Sequence, residues 1–319
     1  MRILRHYRNP PPDAQGAVVA LGNFDGVHLG HRALVAEARR IAESQNRPLA
    51  ALVFEPHPRE FFRPNDEPFR LTPFRSKAHL LGLEGIDFLI VLAFDAELAG
   101  KSPQDFVLEI LVHELRVGHV VIGQDFRFGK GRAGDAAVLG YMGEMEGFGV
   151  TVFTPVSAGT AAKISSSEIR TALKAGHPEE AARLLGHWWS LEGHVGPGDK
   201  RGRTIGFPTA NLKLERMLQP AFGVYAVRAR IQGGEKVYDG VANFGLRPMF
   251  ALSSPLLEVH LFDFSGELYG ELLEIELIAY LRGEMKFEGL DALKSAIAAD
   301  CEIAKVVLKA LPNDVPPLL

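Results

Sequence analysis

The sequence predicts an α/β fold in two parts, a parallel sheet in the first half and an antiparallel β-barrel with a terminal helix in the second. Three patterns carry this prediction. Continuous apolar runs recur in the first half, helical segments separate them, and short segments of period two dominate from Ser190 onward. Strands buried on both faces of a parallel sheet are apolar throughout, whereas small antiparallel barrels are built from short alternating strands.

Length and composition narrow the class of protein. A chain of 319 residues, 47% of them hydrophobic, exceeds the size of a usual single domain, so two domains are expected. The net charge of −4, without a long basic block, argues against a nucleic-acid partner or an anionic membrane surface. No apolar run reaches the ~18 residues of a membrane span, and the arginine-rich start lacks a signal-peptide core, so we expect a cytoplasmic protein. The single cysteine, Cys301, fits an apolar helical stripe and is expected in the core.

The first half alternates strands and helices. The predicted strands are 17–21, 49–54, 88–93, 119–122 and 150–153, and the predicted helices are 30–43, 75–83, 103–115 and 135–147. In such sheets, ligands bind beyond the carboxyl ends of the strands, where the strand order reverses. The residues that follow each strand are therefore the candidates for a site.

The segment Gly22–His31 (GNFDGVHLGH) follows the first strand and leads into the first helix. Its glycines allow a sharp turn and close approach to a ligand, and the helix start offers unpaired N–H groups. His28 and His31 project from the first turn onto one side. Such a turn can simply connect two elements, and paired histidines can hold a metal, but no carboxylate or cysteine stands beside them at ligand spacing. The pattern predicts a phosphate-binding site.

Three further segments suit the same site. The second strand ends in Glu55-Pro56-His57-Pro58, and the fourth is followed by the polar and aromatic segment 123–129. Ser165 and Glu168 have capping-box spacing, so a helix should begin there and end near Gly176. The cap alone explains those residues, yet hydroxyls and Arg170 at a helix start also suit a polyphosphate.

The first half resembles the HxGH nucleotidyltransferases, through His28-Leu29-Gly30-His31, and among them the bacterial FAD synthetase module, over residues 15–185. The resemblance implies a Rossmann-like sheet and FMN adenylyl transfer from ATP, with catalytic roles for His28, His31 and Arg170. It implies nucleotide contacts by Gly22, Asn23, Phe24, Asp25, Gly30, Ser165, Ser166 and Ser167. It implies flavin contacts by His57, Pro58, Asp125, Phe126 and Phe128.

The pattern changes after Gly186, where we place the domain boundary, giving domains 1–186 and 187–319. The predicted strands of the second domain are 190–196, 223–232, 236–243, 256–264 and 272–280, followed by a helix at about 288–309. A glycine-rich basic turn lies between the first two, and its candidate nucleotide-binding residues are Gly196, Gly198, Lys200, Gly202 and Arg203. A basic hairpin tip exposed to solvent is the alternative interpretation of this turn.

Thr209 and Asn211 follow that turn and point to the same side of an extended chain. Their side-chain oxygens suit a Mg²⁺ ion that bridges nucleotide phosphates. In the strand 256–264, Leu257 and Val259 share one face and Glu258 lies on the other. An outward glutamate is usually solvated, but beside a nucleotide turn and a metal pair Glu258 is a candidate base.

The segments GFPTAN, GVAN and EVHLFDF, which contain Asn211, Asn243 and Glu258, resemble riboflavin kinase across residues 190–305. The resemblance implies that ATP phosphorylates the 5′-hydroxyl of riboflavin, with Glu258 as base and Asn243 in contact with the flavin.

Both halves therefore resemble the bifunctional riboflavin kinase/FAD synthetase family, in the same order. The implied partners are riboflavin, FMN, FAD, ATP, ADP and pyrophosphate, with Mg²⁺ or another divalent cation, and self-association is compatible with the sequence. Two alternatives are another HxGH nucleotidyltransferase, which would leave the barrel motifs unexplained, and a flavin-binding regulatory protein without activity.

Overall fold

The computed structural model describes residues 1–154, 164–197, 206–214, 216–232, 234, 236–246 and 255–311. The chain forms two compact units. The first contains residues 1–67 and 74–164, and the second contains residues 68–73 and 165–319. The second unit therefore includes a short segment that precedes most of the first unit's helices in the chain.

The first unit is built on a six-stranded parallel sheet. Its strands are β1 (Arg2–Leu4), β2 (Val18–Leu21), β3 (Leu49–Glu55), β4 (Phe88–Ala93), β5 (His119–Gly123) and β6 (Gly149–Phe153). Their order is β1-β4-β3-β2-β5-β6. The four residues of β2 are all buried, which explains its continuous apolar sequence. The predicted parallel sheet is confirmed, with β1 as an additional strand.

Helices connect these strands. They are α1 (Leu29–Ser44), α2 (Pro58–Phe62), α3 (Phe74–Leu83), α4 (Ala96–Gly100), α5 (Pro103–Asp105, continued by a π-helix over Phe106–Glu114) and α6 (Ala136–Glu146). The ends of α6 follow from local chemistry. The Asp135 side chain accepts hydrogen bonds from the first turn, and Gly147 ends the helix with φ +80°.

The strand order places three turns together. β2 pairs in parallel with β3 on one side and with β5 on the other, so the order reverses at β2. The turns that follow these three strands therefore lie at the same edge of the sheet, as the sequence predicted. This edge is the switch point at which α/β sheets bind ligands.

The second unit contains a closed six-stranded antiparallel barrel. Its strands are β7 (Ser190–Gly196), β8 (Ala210–Leu214), β9 (Gly223–Ile231), β10 (Val237–Leu246), β11 (Pro255–Leu261) and β12 (Leu272–Arg282). They close in the order β10-β11-β8-β7-β12-β9. In β11, Leu257, Val259 and Leu261 are buried inside the barrel, and the residues between them face outward. The predicted barrel is confirmed.

Among the described residues of this unit, three helices complete it: α7 (Ser166–Lys174), α8 (Pro178–Leu185) and α9 (Leu290–Ala310). α9 packs with the outer face of the barrel, and Cys301 lies in that interface with Ala304 and Leu308. Burial raises the pKa of the Cys301 thiol, which fits the predicted core role. Among the residues described above, no helix is long and apolar enough to cross a membrane.

Candidate functional site

The turn between β2 and α1 has an unusual backbone. Phe24 and Val27 have positive φ angles of 49° and 41°, as does Gly26 at 87°. A β-branched residue with positive φ is a genuine outlier, because its Cβ crowds the backbone. The Phe24 ring is fully buried, so the turn is fixed by the core of the first unit. Strain of this kind is typical of functional turns.

His28 and His31 lie together at the start of α1. Their rings stack with centroids 3.6 Å apart and planes 16° apart. His28 caps the helix, since its Nδ1 accepts a hydrogen bond from the His31 backbone N–H at 3.3 Å. A neutral imidazole that accepts at Nδ1 carries its proton on Nε2. The pair therefore places a hydrogen-bond donor, the His28 Nε2–H, beside the positive end of a helix.

Two further features of this turn suit a ligand. The Asn23 Oδ1 atom is buried and has no hydrogen-bond partner within the described chain, although buried acceptors are normally satisfied. Gly30 lets the His28 ring approach, because a Cβ there would lie 3.1 Å from two of its atoms. The same Cβ would lie 3.6 Å from the carbonyl oxygen of Ile164, the residue before Ser165.

The turn after β3 begins α2. The His57 side chain caps this helix by accepting the Arg59 N–H at 3.1 Å through Nδ1, and Pro58 occupies the first helical position. His57 and Pro58 were predicted as site residues from the sequence, whereas the helix was not, because five residues are too few for a periodic pattern.

A chain of aromatic rings connects the turn after β3 with the turn after β5. Successive ring centroids are 5.2–6.3 Å apart along Phe62, Phe61, Phe94, Phe54, Phe106, Phe128 and Phe126. The outermost ring, Phe62, is 63% exposed, which is unusual for so large an apolar side chain. Phe126 and Phe128 were predicted from sequence, whereas the other five come together only through the fold. The Phe61-Phe62 pair, separated by two residues from Pro56-His57-Pro58, was the signal available.

Ser165, Ser166, Ser167 and Arg170 lie at the start of α7, in the second unit. The predicted cap is present, since Ser165 Oγ accepts the Glu168 N–H at 3.3 Å. Arg170 Nε donates to the Phe69 carbonyl at 2.8 Å, and its guanidinium lies over the Phe69 ring. Roles for these residues in nucleotide binding remain predictions.

In the barrel, the predicted kinase residues share one row. Gly196 pairs with Asn211, Asn211 with Glu258, and Glu258 with Asn243 across the neighbouring strands β7, β8, β11 and β10. Directly paired residues point to the same face with Cβ atoms about 4.5–5.5 Å apart. The Glu258 carboxylate is thus flanked by two carboxamides on the outer face, and all three side chains are half-buried.

His260 fixes the chain that precedes Asn211. Its Nδ1 donates to the Pro208 carbonyl at 2.8 Å, and its ring meets Phe207 and Phe262 edge-on. Pro208 adjoins Thr209, which is exposed. His260 was not singled out from sequence, because its partner lies 52 residues away.

Four predicted nucleotide-binding residues, Gly198, Lys200, Gly202 and Arg203, lie outside the described residues. Within the described part of the chain, no group of three or more His, Cys, Asp or Glu side chains could hold a metal ion. Thr209 and Asn211 offer neutral oxygens instead, the hard donors that Mg²⁺ accepts together with phosphate oxygens. These residues fit a metal that is bound along with a nucleotide.

The fold and these two sites define a class: an enzyme with a nucleotidyltransferase-type sheet edge in one unit and a kinase-type barrel in the other. The FAD synthetase family model matches residues 11–168, and the riboflavin kinase family model matches residues 185–308. The chain belongs to the family of bifunctional riboflavin kinases/FMN adenylyltransferases.

Similar proteins agree over nearly the whole length. The chain is 42% identical to the bifunctional riboflavin kinase/FMN adenylyltransferase of Haemophilus influenzae, over 96% of this chain and 98% of that protein. It is 42% identical to the protein of the same name in Escherichia coli strain K12, over 94% and 96%. The crystal structure of a macrolide-efflux protein from Streptococcus pneumoniae has a TM-score of 0.85 at 30% identity, over 96% of this chain and 99% of that one.

Proposed function

We propose that the barrel phosphorylates riboflavin with ATP to give FMN, and that the sheet edge of the first unit then joins FMN to AMP from a second ATP to give FAD. The family membership supports both reactions. The observation that carries the kinase assignment is the paired row Asn211–Glu258–Asn243. The observation that carries the adenylyltransferase assignment is the stacked histidine pair at the start of α1.

In the kinase reaction, the riboflavin 5′-oxygen forms a bond to the γ-phosphorus, the bond from that phosphorus to the β–γ bridging oxygen breaks, and ADP leaves. Glu258 accepts the hydroxyl proton. A carboxylate between Asn211 and Asn243 is held by its paired strands, so it is positioned before the substrate arrives. The catalytic contribution is positioning and charge stabilisation, as in other phosphoryl transfers.

A divalent cation, Mg²⁺ by preference, would be held by the side-chain oxygens of Thr209 and Asn211 together with nucleotide phosphates. When bound, the cation neutralises the charge of the transferred phosphoryl group. His260 supports this arrangement by fixing the carbonyl of Pro208, the residue before Thr209.

In the adenylyltransferase reaction, a phosphate oxygen of FMN forms a bond to the α-phosphorus of ATP, the α–β bridging bond breaks, and pyrophosphate leaves. The FMN phosphate is already an anion, so no strong base is required. The need is to stabilise charge on the α- and β-phosphates. We assign this role to His28 Nε2–H, His31 and the first N–H groups of α1.

The aromatic chain supplies the flavin site of this unit. The isoalloxazine ring is flat, with an apolar dimethylbenzene end and a polar pyrimidine end. Its apolar end would lie against the exposed Phe62 or the half-buried Phe126, which packs on Phe128, and His57 and Asp125 offer partners for its polar groups. Aromatic pairs of this geometry contribute about 0.5–1.5 kcal/mol beyond their buried area. This placement brings the flavin and the histidine pair to the same sheet edge.

The test is a flavin assay with two variants. The protein is incubated with riboflavin, ATP and Mg²⁺, and the flavins are separated by chromatography. We expect both FMN and FAD. His31→Ala should lower FAD formation about 10²–10³-fold and leave FMN formation intact, by analogy with other preorganised donors. Glu258→Gln should remove FMN formation but still convert added FMN to FAD.

Matched controls are His113→Ala and Glu267→Gln, which alter exposed residues of each unit. Both should retain both activities. If either site variant removes both activities in a folded protein, the assignment of one reaction to each site is wrong. Bound but unchanged riboflavin would indicate a flavin-binding protein instead, and no flavin interaction would indicate another nucleotidyltransferase.

A further inference from the structure

A fully buried lysine lies inside the first unit. The Lys77 side chain is 1% exposed and is among the largest fully buried side chains of the described chain, most of which are apolar or aromatic. Lys77 lies on α3, three residues after its first residue, Phe74. Lys77 lies outside every segment that the sequence predicts to take part in ligand binding or catalysis.

This location is unfavourable for an ammonium group. Burial removes the group from water, and the positive end of the α3 dipole repels it. A buried charge persists only when a partner of opposite sign compensates it. The partner is Glu55, whose Oε1 accepts a hydrogen bond from Lys77 Nζ at 2.8 Å.

Glu55 ends β3, directly before Pro56 and the helix cap His57. Its backbone makes the last pairing of the sheet on this strand, because the register of β3 with β4 ends at Glu55, whose carbonyl accepts the Phe94 N–H at 3.0 Å. The ion pair fixes its side chain as well. The chain therefore leaves the sheet from a residue anchored both to a neighbouring strand and to α3.

We infer that Lys77 is a positioning residue for FMN adenylyl transfer. By holding Glu55 it sets the direction in which the chain leaves β3, and so the placement of His57 and of the α2 rings Phe61 and Phe62. This inference rests on the proposed flavin site at that sheet edge. It predicts that the ion pair serves FMN binding more than stability.

The role of the ion pair in FMN binding can be separated from a role in stability. A buried ion pair adds little stability relative to neutral side chains of similar size. The double variant Lys77→Met/Glu55→Gln removes both charges at once. We expect it to melt at or above the temperature of the unaltered protein. Its kcat/KM for FMN in adenylyl transfer should fall about 10- to 100-fold, mostly through KM, as expected for a misplaced binding group.

A second pair of variants keeps both charges. Glu55→Asp shortens the carboxylate arm and should raise the KM for FMN. Adding Lys77→Arg lengthens the opposite arm and should restore the KM towards its original value. Riboflavin phosphorylation by the same preparations is the control, and it should stay within about twofold, since the ion pair lies in the first unit.

The inference is overturned if the double variant and Glu55→Asp both retain the original KM for FMN. It is also overturned if every loss of adenylyl transfer is matched by an equal loss of kinase activity and a lower melting temperature. Failure of the proposed function looks different, because the unaltered protein would then make no FAD from FMN and ATP.

Discussion

At the scale of single residues, the histidine pair depends on a strained turn. Positive φ at Phe24 and Val27 costs of order 1–3 kcal/mol per residue. Burial of the Phe24 ring and its edge-on contact with His31, at 5.2 Å between centroids, hold the turn in place. The position of His31 is thus set by core packing, and the ligand need not order it.

Gly134 provides a residue-scale prediction at the flavin site. It exchanges two backbone hydrogen bonds with Phe128, at 3.0 and 2.9 Å. A Cβ at Gly134 would lie 2.8 Å from two Phe128 ring carbons, so Gly134→Ala must displace the ring. We expect the KM for FMN in adenylyl transfer to rise about 3- to 10-fold, which corresponds to the binding free energy of one aromatic contact. Steady-state kinetics with varied FMN measures this.

The matched control is Gly140→Ala in α6, where an added Cβ would contact nothing within 4 Å. Alanine is the better helix former, so this variant should be slightly more stable with an unchanged KM. An unchanged KM in Gly134→Ala would remove Phe128 from the flavin site.

At the scale of elements, α9 is joined to the barrel by charged groups at two points. Arg282, at the end of β12, donates through Nε and Nη2 to both carboxylate oxygens of Asp300, at 2.9 and 2.7 Å. Arg228 Nη2 donates to the carbonyls of Leu308 and Leu311, both at 3.2 Å, at the helix C-terminus. Cations are favourable there, because the unpaired carbonyls carry partial negative charge.

We predict that Asp300→Ala lowers the free energy of unfolding of the second unit by about 3 kcal/mol, because it leaves Arg282 without its carboxylate in a largely buried site. Both tryptophans of the chain, Trp188 and Trp189, lie in this unit, so their fluorescence during urea unfolding reports on it alone. The matched control is Glu302→Ala, which breaks an exposed pair with Lys305 on the same helix.

Exposed ion pairs add little to the free energy of unfolding, so Glu302→Ala should shift the urea midpoint little. Equal midpoint shifts in the two variants would contradict the importance of the Arg282–Asp300 pair.

At the scale of the whole molecule, two reactions are assigned to one chain. FMN is the product of one reaction and the substrate of the other. A variant impaired in adenylyl transfer should therefore complement a variant impaired in riboflavin phosphorylation. A mixture of His31→Ala and Glu258→Gln proteins should make FAD from riboflavin far faster than His31→Ala alone, and Glu258→Gln alone should make none. FMN should accumulate first and FAD should follow after a lag, which a chromatographic time course measures.

The control mixture is His113→Ala with Glu258→Gln, which should show a shorter lag, since one of its proteins retains both activities. A mixture of the two site variants that accumulates FMN but never forms FAD would contradict this prediction, since FMN released by one protein would then be unable to reach the adenylyltransferase site of the other.

Local patterns in the sequence were sufficient for most of the architecture. Ten predicted strands and the longer helices are present, because continuous apolar runs and helical periodicity follow directly from which faces are buried. Strands β1 and β8 and helices α2 and α4 were not predicted as elements. They have three to five residues each, too few for a period to show.

The sequence by itself determined the two-part fold, the motifs of each half and the residue types expected to bind phosphates. Each of these features depends on the spacing of residues close together in the chain. Only the tertiary structure decided which distant residues meet. Leu71 is buried in the core of the second unit, where its carbonyl accepts the Trp189 Nε1–H at 2.7 Å across 118 residues. Lys77 likewise finds Glu55 through the packing of α3 on the sheet, and Glu258 stands opposite Asn211 through strand register. Such pairings arise from packing and register between separate elements, which no local pattern in a single sequence specifies.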